Sequence, residues 1–171
     1  FVDTEVPLPE GQAMLAPKVE ARLLQALRVA RHERVLEVGT GSGHMAALLA
    51  HRAQHVTSLE VRPALAAMAT ANLRRAGIAN ASVLAADGSQ GLPDEAPFDV
   101  IVLSGSVAEV PQALLDQLKP GGRLVAVVGD QPVMRATLVT RVAATHFRSE
   151  ELFDTVAPRL EGFAETALFR F

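Results

Sequence analysis

The stretch Arg34-Val35-Leu36-Glu37-Val38-Gly39-Thr40-Gly41-Ser42-Gly43-His44 decides the fold. Its first five residues read as a short β-strand. Three glycines at alternate positions follow, and His44 opens an apolar segment with the spacing of a helix running to about Arg52. Glycine suits a backbone that must turn with positive φ, or that a ligand must approach without a Cβ in the way. The helix start beyond the loop offers N–H groups with no partner in the helix. The loop differs from the dinucleotide fingerprint, which wants glycine or alanine where His44 stands.

Outward from this loop, strands and helices alternate. Strands are expected over residues 55–59, 81–86, 98–103 and 123–128. Helices are expected over 64–76, with Pro63 as an early helical residue and Gly77 as the stop, and over 111–118, halted by Lys119-Pro120-Gly121-Gly122. Upstream, Val19, Leu23, Leu24 and Leu27 recur at helical spacing and predict an amphipathic helix over 16–31, after an extended arm over 1–9. The alternation predicts a three-layer α/β/α fold, Rossmann-like, with a mostly parallel doubly wound sheet. After Gly129 it stops. Segments 134–142, 147–154 and 164–171 read as strands, so the sheet is expected to end antiparallel.

The 171 residues suit a single domain over 1–171, with an arm and helix (1–32), an α/β core (33–130) and carboxyl-terminal strands (131–171). A net charge of -3 gives no electrostatic case for nucleic acid or an anionic membrane, and without cysteine there are no disulfides or thiolate metal sites. No apolar run approaches the roughly 20 residues that span a bilayer, and no signal-peptide pattern opens the chain, so the default expectation is cytoplasmic. The chain begins at Phe1 rather than methionine and reads as trimmed.

Three acidic residues accompany the loop. Glu60 ends the second strand, 21 residues after Gly39, where a carboxylate would accept both ribose hydroxyls of an adenosine, with Val61 beside it. Asp87, followed by Gly88, ends the third strand, where it can reach an adenine amino group. Glu37 stands just ahead of the loop and suits a cationic ligand. S-adenosyl-L-methionine carries a sulfonium and an ammonium, whereas a pyrophosphate would be repelled there. The cofactor set is therefore Glu37, Gly39, Thr40, Gly41, Ser42, Gly43, His44, Glu60, Val61, Asp87 and Gly88. His51 and His55 have an i, i+4 spacing, but the helix should end between them and no third ligand is near, so no metal is expected. Ser42 and Ser104 lack the acid and histidine of a hydrolase. Phe147, Phe153, Phe163, Phe169 and Phe171 are expected to fill the core at the sheet edge or a subunit contact, which keeps a homodimer among the expected assemblies.

The chain resembles the protein-L-isoaspartate O-methyltransferase family within the class I S-adenosylmethionine-dependent methyltransferases. The matching pieces are Pro9-Glu10-Gly11-Gln12, residues 35–43, Ala86-Asp87-Gly88-Ser89-Gln90-Gly91-Leu92-Pro93, Ala96-Pro97-Phe98-Asp99 and Leu118-Lys119-Pro120-Gly121-Gly122-Arg123. The resemblance implies methyl transfer to the carboxyl of isoaspartyl residues in damaged proteins, a repair reaction that yields S-adenosyl-L-homocysteine. It implies a protein or peptide substrate and a further amino-terminal helical segment. The substrate loop departs from the family. After Gly-Gln the family reads threonine-isoleucine-serine, its serine lying between cofactor and acceptor; here stand Ala13, Met14 and Leu15. Met14, Leu15 and Ser104 are the acceptor-side candidates. Two alternatives stay open on this loop, a methyltransferase for another acceptor, including a small molecule, and a non-catalytic cofactor-binding module.

Overall fold

The computed structural model describes residues 3–165. In chain order the elements are β1 (Val6–Pro7), β2 (Ala13–Met14), α1 (Pro17–Leu27), β3 (Arg34–Val38), α2 (His44–Ala50), β4 (His55–Glu60), α3 (Pro63–Arg75), β5 (Ala81–Ala85), β6 (Phe98–Val107), α4 (Gln112–Leu115), β7 (Leu118–Asp130), β8 (Val133–Ala143) and β9 (His146–Asp154).

The sheet has the order β5-β4-β3-β6-β7-β8-β9. Pairs from β5 to β7 are parallel, and β7-β8 and β8-β9 are antiparallel. This is the expected doubly wound sheet with an antiparallel end. From β3 the chain winds outward through β4 to β5, then returns to place β6 on the other side of β3. The strand order therefore reverses between β3 and β6, and the crevice at their carboxyl ends is where such sheets bind ligands.

Period-2 alternation splits the core in two. Val35, Val100, Val102, Val125 and Val127 face one side and pack with Leu23 and Leu27 of α1, Met45 and Leu49 of α2, and Leu73 of α3. Leu36, Val38, Ile101, Leu103 and Leu124 face the other, covered by Leu114 and Leu115 of α4 and by Leu92, Leu160 and Phe163. Glu37 shares the face of Val35, so its carboxylate points beneath α1 and α2.

Several expected boundaries move. The segment expected as an extended arm instead folds back, with Val6 opposite Met14 and Pro7 opposite Ala13 in a small ribbon across a 3₁₀ turn at Pro9–Gly11. The first long helix ends at Leu27, short of Arg31, because Arg28 turns left-handed (φ 47°) and Arg123 Nε donates to the Leu27 carbonyl at 2.7 Å. The strand expected to stop at Leu103 runs on to Val107 with an irregular register after Val102. The helix expected over 111–118 is a single turn, since Leu118 already pairs with Phe98. Of the strand expected over 164–171, residues 166–171 lie outside the described residues, and Ala164 and Glu165 are not in a strand. Phe163 is buried, Phe147 and Phe153 pack partly against the core, and Phe169 and Phe171 are outside the described residues.

Candidate active site

The glycine loop leaves β3 with Gly39, Gly41 and Gly43 all at positive φ (91°, 53° and 85°). At Gly43 a Cβ would lie 3.3 Å from the Ala69 carbonyl oxygen, so the glycine lets α2 start hard against α3. Asn72 Nδ2 donates to the Ser42 carbonyl at 2.9 Å and ties the loop to the same helix. At Gly39, which lines the crevice, a Cβ would meet Leu160 Cδ2 at 2.6 Å, so only glycine fits beneath the segment that follows β9.

Glu60, 6% exposed, closes β4 and accepts from two backbone amides, Gly41 N–H at 2.9 Å and Arg62 N–H at 3.1 Å. It thereby ties the glycine loop to the end of the neighbouring strand. Beneath the loop lies a buried hydroxyl chain. Glu37, fully buried, accepts from Ser58 Oγ at 2.6 Å and from Ser104 Oγ at 2.7 Å. Ser58 has one proton and spends it there, so Thr40 Oγ1, 2.6 Å away, donates to Ser58. Burial pushes the Glu37 carboxyl up to about 7; the two serine bonds pull the other way, and the negative charges of Glu20 and Glu60 add to the rise.

The cavity at the switch point is lined on the sheet side by Val38, Gly39, Gly41, Leu59, Glu60, Val61, Gly88 and Ser104. The opposite side comes from the chain's two ends, Leu8, Gln12 and Ala13 from the ribbon and Pro158, Arg159, Leu160 and Glu161 after β9. Arg62 and Leu65 complete it.

The structure thus gathers Gly39, Gly41, Glu60, Val61, Gly88 and Ser104 on one wall. Glu37 and Thr40 sit under that wall rather than on it. Ser42 and Gly43 serve the α3 contact, and the Ser42 hydroxyl donates to Met14 Sδ at 3.2 Å. His44 Nδ1 lies 2.7 Å from Glu20 Oε2, a carboxylate of α1 that burial holds above its usual range against the pull of the imidazole. Exposed Asp87 accepts from Ser89 N–H at 2.9 Å. Met14 and Leu15 do not line the cavity, and Leu15, 3% exposed, packs in the core with Leu23 and Leu27. Among the described residues no three His, Asp or Glu side chains gather as a metal site.

Sequence reasoning missed Gln12, Ala13, Arg62 and residues 158–161. Gly11-Gln12 carried a motif signal only, and the last segment carries no periodicity at all. Conversely, three of the stretches that carry the resemblance brace the fold. Asp99 Oδ2 accepts from Arg34 N–H at 2.8 Å and from Lys119 Nζ at 2.9 Å, and Gln117 bonds Leu92 N–H and the Gln90 carbonyl to hold the loop after Asp87.

The residues present fit an adenosyl cofactor. The cradle at Gly39 and Gly41 has no side chains, Glu60 offers a carboxylate to a diol, and Ser104 and Glu37 supply negative character under the loop. Residues 1–155 match the family described as Protein-L-isoaspartate(D-aspartate) O-methyltransferase. A protein-L-isoaspartate O-methyltransferase from Methanoculleus marisnigri is 48% identical over 129 residues, covering 75% of this chain and 59% of that protein. A solved protein-L-isoaspartate O-methyltransferase superposes with a TM-score of 0.82 at 27% identity, over 90% of this chain and 50% of the other. A Plasmodium falciparum structure provisionally given the same enzyme name, in complex with S-adenosyl-L-homocysteine, matches with a TM-score of 0.81 at 24% identity, over 94% and 81% of the two chains. This chain therefore spans between half and four fifths of these relatives, and it belongs to the protein-L-isoaspartate O-methyltransferase family.

Proposed function

We propose that the chain is an S-adenosylmethionine-dependent methyltransferase acting on the carboxyl of isoaspartyl residues in proteins or peptides. The observation that carries this is the position of Glu60. In a chain of this family, its carboxylate lies on the cleft wall at the strand-order reversal, bonded to the amide of the same glycine loop that leaves bare backbone beside it.

When bound, S-adenosylmethionine supplies a sulfonium methyl for transfer to a nucleophilic oxygen, leaving S-adenosylhomocysteine. An acceptor carboxylate is already an anion, so the chain need not remove a proton from it. Its task is alignment and water exclusion. Glu60 would take the ribose hydroxyls, Gly39 and Gly41 would admit the ligand against main chain, and Gly88 would flank the adenine. Ser104 and Glu37 would place negative charge toward the cationic end. Ala13 and Gln12 stand on the opposite wall, where an acceptor would enter. With Leu15 in the core, the family's serine has no counterpart hydroxyl at that position, so the acceptor is oriented by this wall instead.

The test is transfer of radiolabelled methyl from S-adenosylmethionine to an isoaspartyl peptide, beside its aspartyl control. Base-labile label on the isoaspartyl peptide alone is expected. No label on either peptide, with S-adenosylhomocysteine still binding, would reject the acceptor and keep the cofactor.

A further inference from the structure

Helix α1 carries a carboxylate where its packing calls for a hydrocarbon. Its buried residues are Glu20, Leu23 and Leu27, one stripe at helical spacing. Leu23 and Leu27 fill the core with Val35, Met45 and Leu49. Glu20, 5% exposed, stands a turn earlier on the same stripe. Its side chain pairs with His44 at the start of α2, Nδ1 to Oε2 at 2.7 Å. The imidazole is 49% exposed, so water would solvate it without Glu20. A buried pair of this kind contributes little net stability, and a hydrocarbon of similar size at the same position usually serves a fold as well or better. Packing therefore does not account for the carboxylate.

What Glu20 faces does account for it. Beneath the glycine loop, Glu37 is fully buried and accepts from Ser58 Oγ and Ser104 Oγ, and Ser104 lines the cleft. Burial raises the Glu37 carboxyl, its two serine bonds oppose the rise, and the negative charges of Glu20 on α1 and Glu60 on β4 add to it. Burial raises Glu20 too, and the His44 imidazole pulls it back down. Three carboxylates from three elements thus meet under one loop. Among the described residues, the charged groups that chiefly act on Glu20 and Glu37 are these acids and one titratable cation, His44, which does not line the cleft. Such a well suits a ligand that brings positive charge of its own.

We propose that Glu20 is a positioning residue for charge selection: held by His44 as a second buried carboxylate behind Glu37, it makes the site favour the cationic cofactor over its neutral product. The proposal rests on the cofactor reading above. S-adenosylmethionine carries an ammonium, a sulfonium and a carboxylate, and so one net positive charge. S-adenosylhomocysteine lacks the sulfonium and is neutral overall. Glu20 touches no ligand. Its charge acts through the protein interior, where water and salt screen it weakly. Methyl transfer removes the charge that the well attracts, so the acids that help bind the cofactor also help release the product.

The test is calorimetric binding of two ligands to the full chain, in wild type, Glu20→Gln and Glu20→Leu. One ligand is S-adenosylhomocysteine. The other is sinefungin, an analogue with an ammonium where the cofactor has its sulfonium. At about pH 8 and low salt, the affinity ratio of sinefungin to S-adenosylhomocysteine should fall about three- to tenfold in both variants, the effect of one unit charge at several ångströms in a partly screened interior. Affinity for S-adenosylhomocysteine itself should move less. The pH at which sinefungin affinity rises should shift downward, because Glu37 loses a like charge that holds its proton. A merely structural Glu20 would move neither the ratio nor that pH. The denaturant midpoint of Glu20→Leu should stay at or above that of wild type. An unchanged ratio in both variants, with binding clearly measured, overturns the proposal and leaves the cofactor reading standing. A large loss of stability in both makes Glu20 structural and overturns it as well. No binding of either ligand to wild type overturns both readings.

Discussion

The two walls of the cleft are built by different physics. On the sheet side, Gly39 follows β3, Glu60 ends β4 and Ser104 lies within β6, strands whose residues Leu36, Val56, Leu59, Ile101 and Leu103 are almost wholly buried, and parallel pairing fixes their register. A one-residue slip would turn Glu37 and Val38 to the wrong faces and cost the whole core. On the other side, Leu8, Gln12, Ala13, Leu160 and Glu161 come from a two-residue ribbon and an isolated bridge, and ion pairs at Arg62 hold them together. The wall that resists change is the one expected to recognise the cofactor. The wall that yields is the one expected to admit ligands and choose the acceptor. Differential local stability of this kind is where binding loops and lids are found.

The largest effect should come from a residue that sequence resemblance assigns to the yielding wall and packing assigns to the core. Leu15→Ser exchanges a buried leucine for a smaller polar residue with no partner. Unfolding stability should fall by about 3–5 kcal/mol, read as a shift in denaturant midpoint. A loss below about 1 kcal/mol would mean Leu15 faces the cleft after all. Next is Glu60→Ala. Two ribose hydroxyls and the Gly41 amide would lose a charged acceptor, so S-adenosylhomocysteine affinity should weaken by about 1.5–3 kcal/mol by calorimetry. Unchanged affinity would break the assignment of the rigid wall to the cofactor.

How much of this was legible in the sequence follows the same division. The strands of the rigid wall announce themselves, because a strand buried on both faces must be an apolar run, as at Val100, Ile101 and Val102. Its turns must contain glycine where φ is positive. Glu60 is legible because it stands at a fixed offset, 21 residues, from Gly39. Glu37 was found as an acid, but its burial was not legible. The alternation that sends it beneath α1 and α2 emerges only once β3 is seen flanked on both sides. Arg62 and Glu161 were invisible because their pairing spans 99 residues and depends on where an aperiodic tail happens to lie. Leu15 was misassigned because a motif position was read for chemistry while its neighbours Leu23 and Leu27 were read for packing, and packing set its direction.

Glu37 offers a sharper and smaller test. Its carboxyl titrates near 7 in the fold and near the ordinary 4.5 when unfolded, so between those values the native state holds a proton that the unfolded chain has lost. Native stability should therefore fall as pH rises through that window, by up to about 3 kcal/mol, and level off above it. Glu37→Gln should flatten that slope. A cationic ligand prefers the ionised form, so cofactor affinity should rise about tenfold from pH 6 to pH 8, with proton release seen as a buffer-dependent binding enthalpy. If Glu37→Gln keeps the wild-type pH dependence, Glu37 does not communicate with the ligand through Ser104.

The smallest effect belongs to Ala13, on the yielding wall. Ala13→Ser adds one hydroxyl to a half-buried position in the ribbon, where β2 is paired only with β1. No core contact is disturbed, so stability should change by less than about 0.5 kcal/mol. If acceptor carboxylates enter along this wall, the hydroxyl adds a donor beside the Gln12 amide. Turnover on isoaspartyl peptide at limiting concentration should rise by up to about tenfold, the worth of one orienting hydrogen bond to an anion. Cofactor affinity should stay within about twofold, because Glu60 and the glycine loop lie on the other wall. That split is what distinguishes the two walls. A change that appears in S-adenosylhomocysteine affinity rather than in kcat/KM for the peptide would place Ala13 against the cofactor, and the acceptor would then have to approach from the side of Gln12 and Leu8.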